Sequence, residues 1–240
     1  MNNTKFSSAL IARKQAGFIP VIPDIKCISP REGDLLRGRD PVEAAKLLAD
    51  AGAPALSIVT EPKNFGGSME LLERIVAETK LPILRKDFIN SVEDVKLTKA
   101  GGAEAILLIC ATQPFPLLRK LYEEALKIGL EPLVEAHTKQ ELLLAGQIGA
   151  KLVGINNRNI LALEKDDGTV SATALLAAYK PKAALLISES SLQTPAQAQA
   201  AVRAGADAVL IGTAIWRAED MRECYLAFSR RTADHVHGQH

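Results

Sequence analysis

What the sequence lacks narrows the field first. Neither sign of charge is in excess: 29 Lys and Arg face 28 Asp and Glu, for a net charge of +1, and the two signs are mixed along the chain. That gives no electrostatic case for nucleic acid or for an anionic membrane surface. The longest apolar runs, such as AILLICA at 105–111, fall far short of the roughly 20 residues that span a bilayer. The opening MNNTKFSSALIARKQ has neither the basic start nor the long apolar core of a secretory signal. Cysteine is scarce, and Cys27, Cys110 and Cys224 are odd in number and widely separated. Such usage fits a reducing cytoplasm and not a disulfide framework. Also missing are a GxGxxG turn after any strand and a GxxxxGK[ST] loop, which argues against a doubly wound nucleotide-binding sheet.

What is there is a rhythm. AGAPALSIVTE (51–61), AGGAEAILLIC (100–110), IGAKLVGIN (148–156) and AGADAVLIGT (204–213) share one plan, a glycine-containing helix end followed by an apolar strand. Between them lie four strands of a second type: IPVIPDIK (19–26), LPILRKDF (81–88), EPLVEAH (131–137) and AALLISES (183–190). The intervening segments carry apolar residues at three- and four-residue spacing, and DPVEAAKLLADAG opens with an Asp cap and a proline. Near-continuous apolar strands alternating with helices predict a closed parallel sheet inside a helical shell, a single-domain (β/α)8 barrel. The expected division is a short helical extension at 1–18, the barrel at 19–232 and a flexible tail at 233–240.

In such a barrel the C-terminal strand ends build the site, and charge within the wall is costly. The second-type strands end in charge: Asp24 and Lys26 on the first, Lys86 on the third, Glu135 on the fifth and Glu189 on the seventh. Asn156 and then Arg158 follow the sixth. One charged tip reads as an edge strand entering a loop, but this many at one mouth point to catalysis, with Lys86 a cation held among carboxylates. After the last two strands come SESSLQTP and LIGTAIW, where Ser190, Ser191, Gly212 and Thr213 offer hydroxyls and close backbone approach to a phosphate.

In order and at similar spacing, the segments PVIPDIKCISPREG, FGGSMELL, LPILRKDFI, EPLVEAHT, GINNRNI, ISESS and LIGTAIW resemble the motifs of the indole-3-glycerol-phosphate synthase family, over about residues 20–230. The resemblance implies ring closure of 1-(2-carboxyphenylamino)-1-deoxyribulose 5-phosphate with loss of CO2 and water, using neither metal nor organic cofactor. It places Lys86 as general acid, with Lys26, Asp24, Glu135, Glu189 and Asn156 as catalytic partners. Ser29, Phe88 and Arg158 would bind substrate, and Ser190, Ser191, Gly212 and Thr213 the phosphate. The chain departs from the family at Asp24, where a glutamate is usual, and at Ser191, where the family's ESG motif has glycine. The first strand also starts early, leaving little N-terminal helix to cover the aromatic end of the substrate.

Other features read more plainly. His137 reads as a loop residue, and HVHGQH at 235–240 as a frayed tail and not a metal site. Cys27 should pack against the helices, Trp216 near the start of the helix after the last strand, and SPREGDLLRGRD (29–40) is read as a lid. Two other readings stay open: a related phosphate-binding barrel acting as an isomerase, and a non-catalytic protein that kept the phosphate pocket. A soluble cytoplasmic monomer or weak homodimer is expected, with a phosphorylated small molecule as its partner.

Overall fold

The glycine-closed helices and apolar runs become a ring of strands. The computed structural model describes residues 5–158 and 171–230. The strands are β1 (Val21–Ile25), β2 (Leu56–Val59), β3 (Ile83–Lys86), β4 (Ala105–Ile109), β5 (Glu131–Ala136), β6 (Leu152–Asn156), β7 (Leu185–Glu189) and β8 (Ala208–Ile211). Each pairs in parallel with its neighbours in sequence, and β1 pairs with β8, so the eight-stranded sheet closes without an edge. Around it lie α2 (Pro41–Asp50), α3 (Met69–Thr79), α4 (Val92–Ala100), α5 (Phe115–Lys127), α6 (Lys139–Gln147), α7 (Ser171–Leu176), α8 (Pro195–Arg203), α9 (Thr213–Arg217) and α10 (Met221–Ser229). The architecture is the (β/α)8 barrel expected from the sequence. Among the described residues no helix is long and apolar enough to cross a membrane. The 233–240 segment with its histidines lies outside the described residues.

Local chemistry sets the helix ends. Asp40 accepts from the Val42 amide at 2.7 Å, and Ser91–Asp94 and Thr194–Gln197 form reciprocal capping boxes. At the other ends Gly52, Gly102, Gly149 and Gly205 all take positive φ, between +72° and +110°. The turn from helix into strand thus uses a conformation that a side chain would disfavour.

Two apolar layers follow from strand alternation. Inside the barrel Ile22, Leu84, Leu107, Leu133, Leu152, Ile187 and Leu210 pack together, while Ile25, Ile58, Ile106, Val134, Val153, Leu186 and Val209 face the helices. A further helix, α1 (Phe6–Gln15), joins the inner layer: Phe6 and Leu10 are buried among the interior residues. The Ser7 amide donates to Glu131 Oε2 at 3.0 Å, at the start of β5, and Lys14 pairs with Asp207 just before β8 at 2.5 Å. The N-terminal helix therefore closes the bottom of the barrel, the end opposite the charged strand tips, and contributes nothing to a cover over the mouth.

The segment after β1 is more structured than a bare loop. Ile28–Ser29 and Gly33–Asp34 form a small antiparallel pair, tied to α9 by Arg217 and Glu32 at 3.1 Å. Arg39 donates to the Trp216 carbonyl, and the Trp216 indole N–H donates to the Asp24 carbonyl at 2.9 Å.

Because Phe6 fills the barrel floor, Phe6→Ala should leave a cavity among residues that cannot collapse. Unfolding by denaturant should show a loss of about 3 kcal/mol, with activity per folded molecule retained. A loss under 1 kcal/mol would mean that the helix is not part of the core.

Candidate active site

On β3 the successive residues Arg85 and Lys86 point to opposite sides of the wall. Arg85, 5% exposed, faces the helical layer. There its guanidinium donates to Thr60 Oγ1 (2.9 Å), Thr98 Oγ1 (3.0 Å), the Asp94 carbonyl (3.1 Å) and Asp87 Oδ2 (2.9 Å). Asp87 Oδ2 also accepts from Thr60 at 2.6 Å. Each charge in the run Arg85-Lys86-Asp87 thus has a setting: a buried guanidinium held by four bonds, Asp87 among its partners, anchors the strand tip to the helical layer, while the lysine is aimed inside.

Inside, the Lys86 ammonium lies 3.5 Å from Glu135 Oε2 and 3.5 Å from Glu189 Oε2. Both glutamates have no exposed side-chain surface, whereas Lys86 keeps 17% at the floor of the cleft. Burial alone would lower the lysine's pKa, but Glu135, Glu189 and Asp24 together hold it well above the ordinary range. Glu189 moves the same way for a different reason. Burial raises it, Glu135 and Asp24 add to the rise, and Lys86 only partly offsets them. The cluster therefore holds a firmly protonated amine beside a carboxyl that gives up its proton reluctantly.

The wall of the cleft is built from the remaining strand ends. Asp24 and Lys26 both line it, though both are largely buried. Asp24 Oδ1 accepts from Ser57 Oγ on β2 at 2.7 Å, and the Lys26 ammonium lies 5.7 Å over the Phe65 ring. Asn156, Arg158 and Phe88 also face the cleft. Asn156 accepts from the Arg158 amide at 3.0 Å, and Arg158 Nε donates to Ser191 Oγ at 3.1 Å. Ser190, Ser191, Gly212 and Thr213 form one side together, with Asp24 Cβ only 3.2 Å from where a side chain on Gly212 would begin.

Ser29 has a different setting from the one expected. It is buried, its hydroxyl accepts from the Arg31 and Glu32 amides at 3.3 Å each, and it does not line the cleft. Among the described residues its hydroxyl organises the small strand pair. Ser191, where the sequence departs from ESG, has φ +58°, and Ser190 has φ +66°. A glycine is at ease in that region, and a serine there carries strain. The Ser191 hydroxyl makes its bond to Arg158 from this strained backbone.

Several contributing residues carried no sequence signal of their own. The Asn157 amide donates to Ser188 Oγ (3.1 Å) and the carbonyls of Glu189 (2.8 Å) and Ser190 (3.1 Å), joining β6 to β7. Gly154 sits opposite Glu135 in the β5–β6 ladder, and a Cβ there would lie 1.9 Å from Glu189 Oε1. His137, in the bend after β5 as expected from the sequence, is half-buried between Glu135 and Glu141. Gly67 is similarly hemmed in, since a Cβ there would lie 2.1 Å from the Val59 carbonyl at the end of β2.

Comparison with known proteins bears on this constellation. The family model for indole-3-glycerol phosphate synthase matches residues 1–227. The indole-3-glycerol phosphate synthases of Pyrococcus abyssi and Pyrococcus furiosus are 43% and 44% identical to the chain over 209 residues. Those alignments cover 87% of the chain, and 90% and 91% of the two relatives. Among solved structures, an N-acetylmannosamine-6-phosphate 2-epimerase from Clostridium perfringens has a TM-score of 0.65 at 16% identity, over 81% of this chain and 86% of that one, which speaks for the barrel alone. The match through nearly the whole barrel, strand tips included, fixes the relationship: the chain belongs to the indole-3-glycerol phosphate synthase family.

Proposed function

We propose that this cleft closes 1-(2-carboxyphenylamino)-1-deoxyribulose 5-phosphate to indole-3-glycerol phosphate, with Lys86 as the acid of ring closure. The observation that carries the reading is the Lys86 ammonium held at the cleft floor between two fully buried glutamates. Attack of the aromatic carbon on the ribulose carbonyl forms the new C–C bond and puts negative charge on the oxygen. A fixed ammonium neutralises and protonates that oxygen as charge develops, which lowers the barrel's barrier more than it tightens substrate binding. The ring carboxylate leaves as CO2, its bonding electrons returning to the ring. The new hydroxyl then departs as water with an acid's help, and loss of a carbon-bound proton restores aromaticity. We assign that proton to Lys86 and the Glu135 carboxylate bonded behind it. Atoms and electrons balance without an oxidant.

Lys26, packed over Phe65, and Arg158, held by Ser191, supply positive charge along the cleft for the substrate's carboxylate and phosphate. The Ser190–Ser191 and Gly212–Thr213 turns are the proposed phosphate site. Crystals grown with inorganic phosphate should show the anion between these two turns. An anion ordered elsewhere at the mouth, with the turns empty, would remove the assignment.

Replacing Lys86 with alanine should lower kcat by about 10³-fold while leaving affinity for inorganic phosphate nearly unchanged. Indole-product fluorescence gives the first quantity and calorimetry the second. Near-normal turnover would take the lysine out of the chemistry.

Glu189 gives a test by stability. Its folded-state pKa is raised above that of the unfolded chain, so the unfolded state loses this proton first. The corresponding stability is fully present below the ordinary carboxylate range and is lost as pH rises through the raised value. Glu189→Gln cannot titrate. The difference in unfolding free energy, variant minus parent, should therefore move in the variant's favour as pH climbs past the carboxylate range. Movement in the opposite direction would show that Lys86 outweighs burial at this group.

A further inference from the structure

His137 stands two residues beyond Glu135, just past the end of β5, with 14% of its side chain exposed. Its Nδ1 lies 3.4 Å from Glu141 Oε2 on α6, and its Nε2 lies 3.4 Å from Glu135 Oε1. Glu141 Oε2 also accepts the His137 backbone N–H at 2.6 Å, which fixes that carboxylate. Glu135 Oε1 and His137 Nε2 are both closed off from solvent, and neither has a hydrogen-bond partner among the described residues. Glu135 Oε2, its other oxygen, is the one that faces Lys86.

A neutral imidazole has one N–H. If Nδ1 carries it toward Glu141, then Nε2 turns a lone pair toward a carboxylate oxygen 3.4 Å away, too near for a water to fit between. Two buried acceptors left facing each other are costly. A second proton on the ring instead sets a positive charge 3.4 Å from each carboxylate, an ion pair on both sides. We propose that His137 is a positioning residue for the reaction at Lys86: as an imidazolium it bridges Glu141 and Glu135, and by holding Glu135 Oε1 it keeps Oε2 turned to the lysine.

The groups around the ring favour this state. Glu135 faces it from β5, Glu141 from α6 and Glu189 from β7. Burial would lower the imidazole's pKa, but these three carboxylates raise it above the ordinary histidine value. Cys110, after β4, feels both Glu135 and Glu141, and burial pushes its thiol up to about 12, so it stays neutral and adds no charge. The imidazolium is therefore present through the ordinary histidine range and is lost as pH rises through the raised folded value. Glu135 then loses its outer anchor.

The inference rests on the assignment of Lys86 and Glu135 to the chemistry, and the test keeps the two apart. Wild-type turnover of the carboxyphenylamino substrate, read by indole-product fluorescence, examines that assignment. In wild type, kcat should fall on the alkaline side as the ring deprotonates. His137→Gln should lower kcat by about 10- to 100-fold, with KM changed by less than about twofold, and should lose the alkaline fall. Glu141→Gln retains the oxygen that accepts the His137 N–H and should shift the fall to lower pH. Independently of turnover, the NMR titration of the His137 ring should move to lower pH in Glu135→Gln. A His137→Gln profile that parallels wild type at reduced height would reduce the histidine to packing. A ring titration indifferent to Glu135→Gln would overturn the bridge outright.

Discussion

The site depends on one constraint: the Lys86 ammonium must offset carboxylates that have been taken out of water. Lys86 stands between Glu135 and Glu189, and Asp24 adds a third negative neighbour. Without the lysine, two fully buried glutamates would face each other across the barrel, and neither would hold charge cheaply. Without the glutamates, burial would strip the lysine's proton and leave no acid. Each partner makes the others' burial tolerable, and the by-product is a protonated amine in a dry, rigid setting. That is the environment in which a fixed charge acts most strongly on a developing oxyanion.

The barrel makes this arrangement rigid from outside. Arg85, adjacent in sequence to Lys86, anchors the same strand tip to Thr60, Asp87, Thr98 and the α4 backbone in the helical layer. Asn157 does similar work one step along the ring, holding β6 to the end of β7 where Glu189 originates. The working side chains thus hang from strand ends whose backbones are bonded on their outer side. At the opposite end α1 covers the floor with Phe6 and Leu10.

Much of this was legible in the sequence because it follows from periodicity. The glycine-closed helices, the eight apolar runs and the charges at strand ends come from local rules, and the ring order needs only right-handed βα units. Lys86, Glu135 and Glu189 could be placed at one mouth on that basis. What could not be read were contacts that local rules do not encode. That the Ser29 hydroxyl accepts from two amides of its own turn is one such contact. His137 sits where a strand gives way to a helix cap, and only the fold shows that Glu141 turns back to enclose it. Arg85 carried no assignment of its own, because sequence shows charge but not which side of a wall it faces. The positive φ at Ser190 was equally hidden, whereas at Ser191 the glycine usual in the family pointed to it.

The bare backbone at Gly154 has a consequence for how this barrel can vary. The Glu189 carboxylate rests directly over that Cα, where even a methyl group would overlap an oxygen. A substitution at either position therefore changes what the other is allowed to be. Any side chain at 154 requires the acid to shorten or swing away, and that would draw the negative charge off Lys86. Conversely, a chain that gave up the acid would be free to fill the space with an alanine or a serine. Positions 154 and 189 thus act as one heritable unit, and the residue found at the first should report, in any barrel of this design, whether the second still carries its charge.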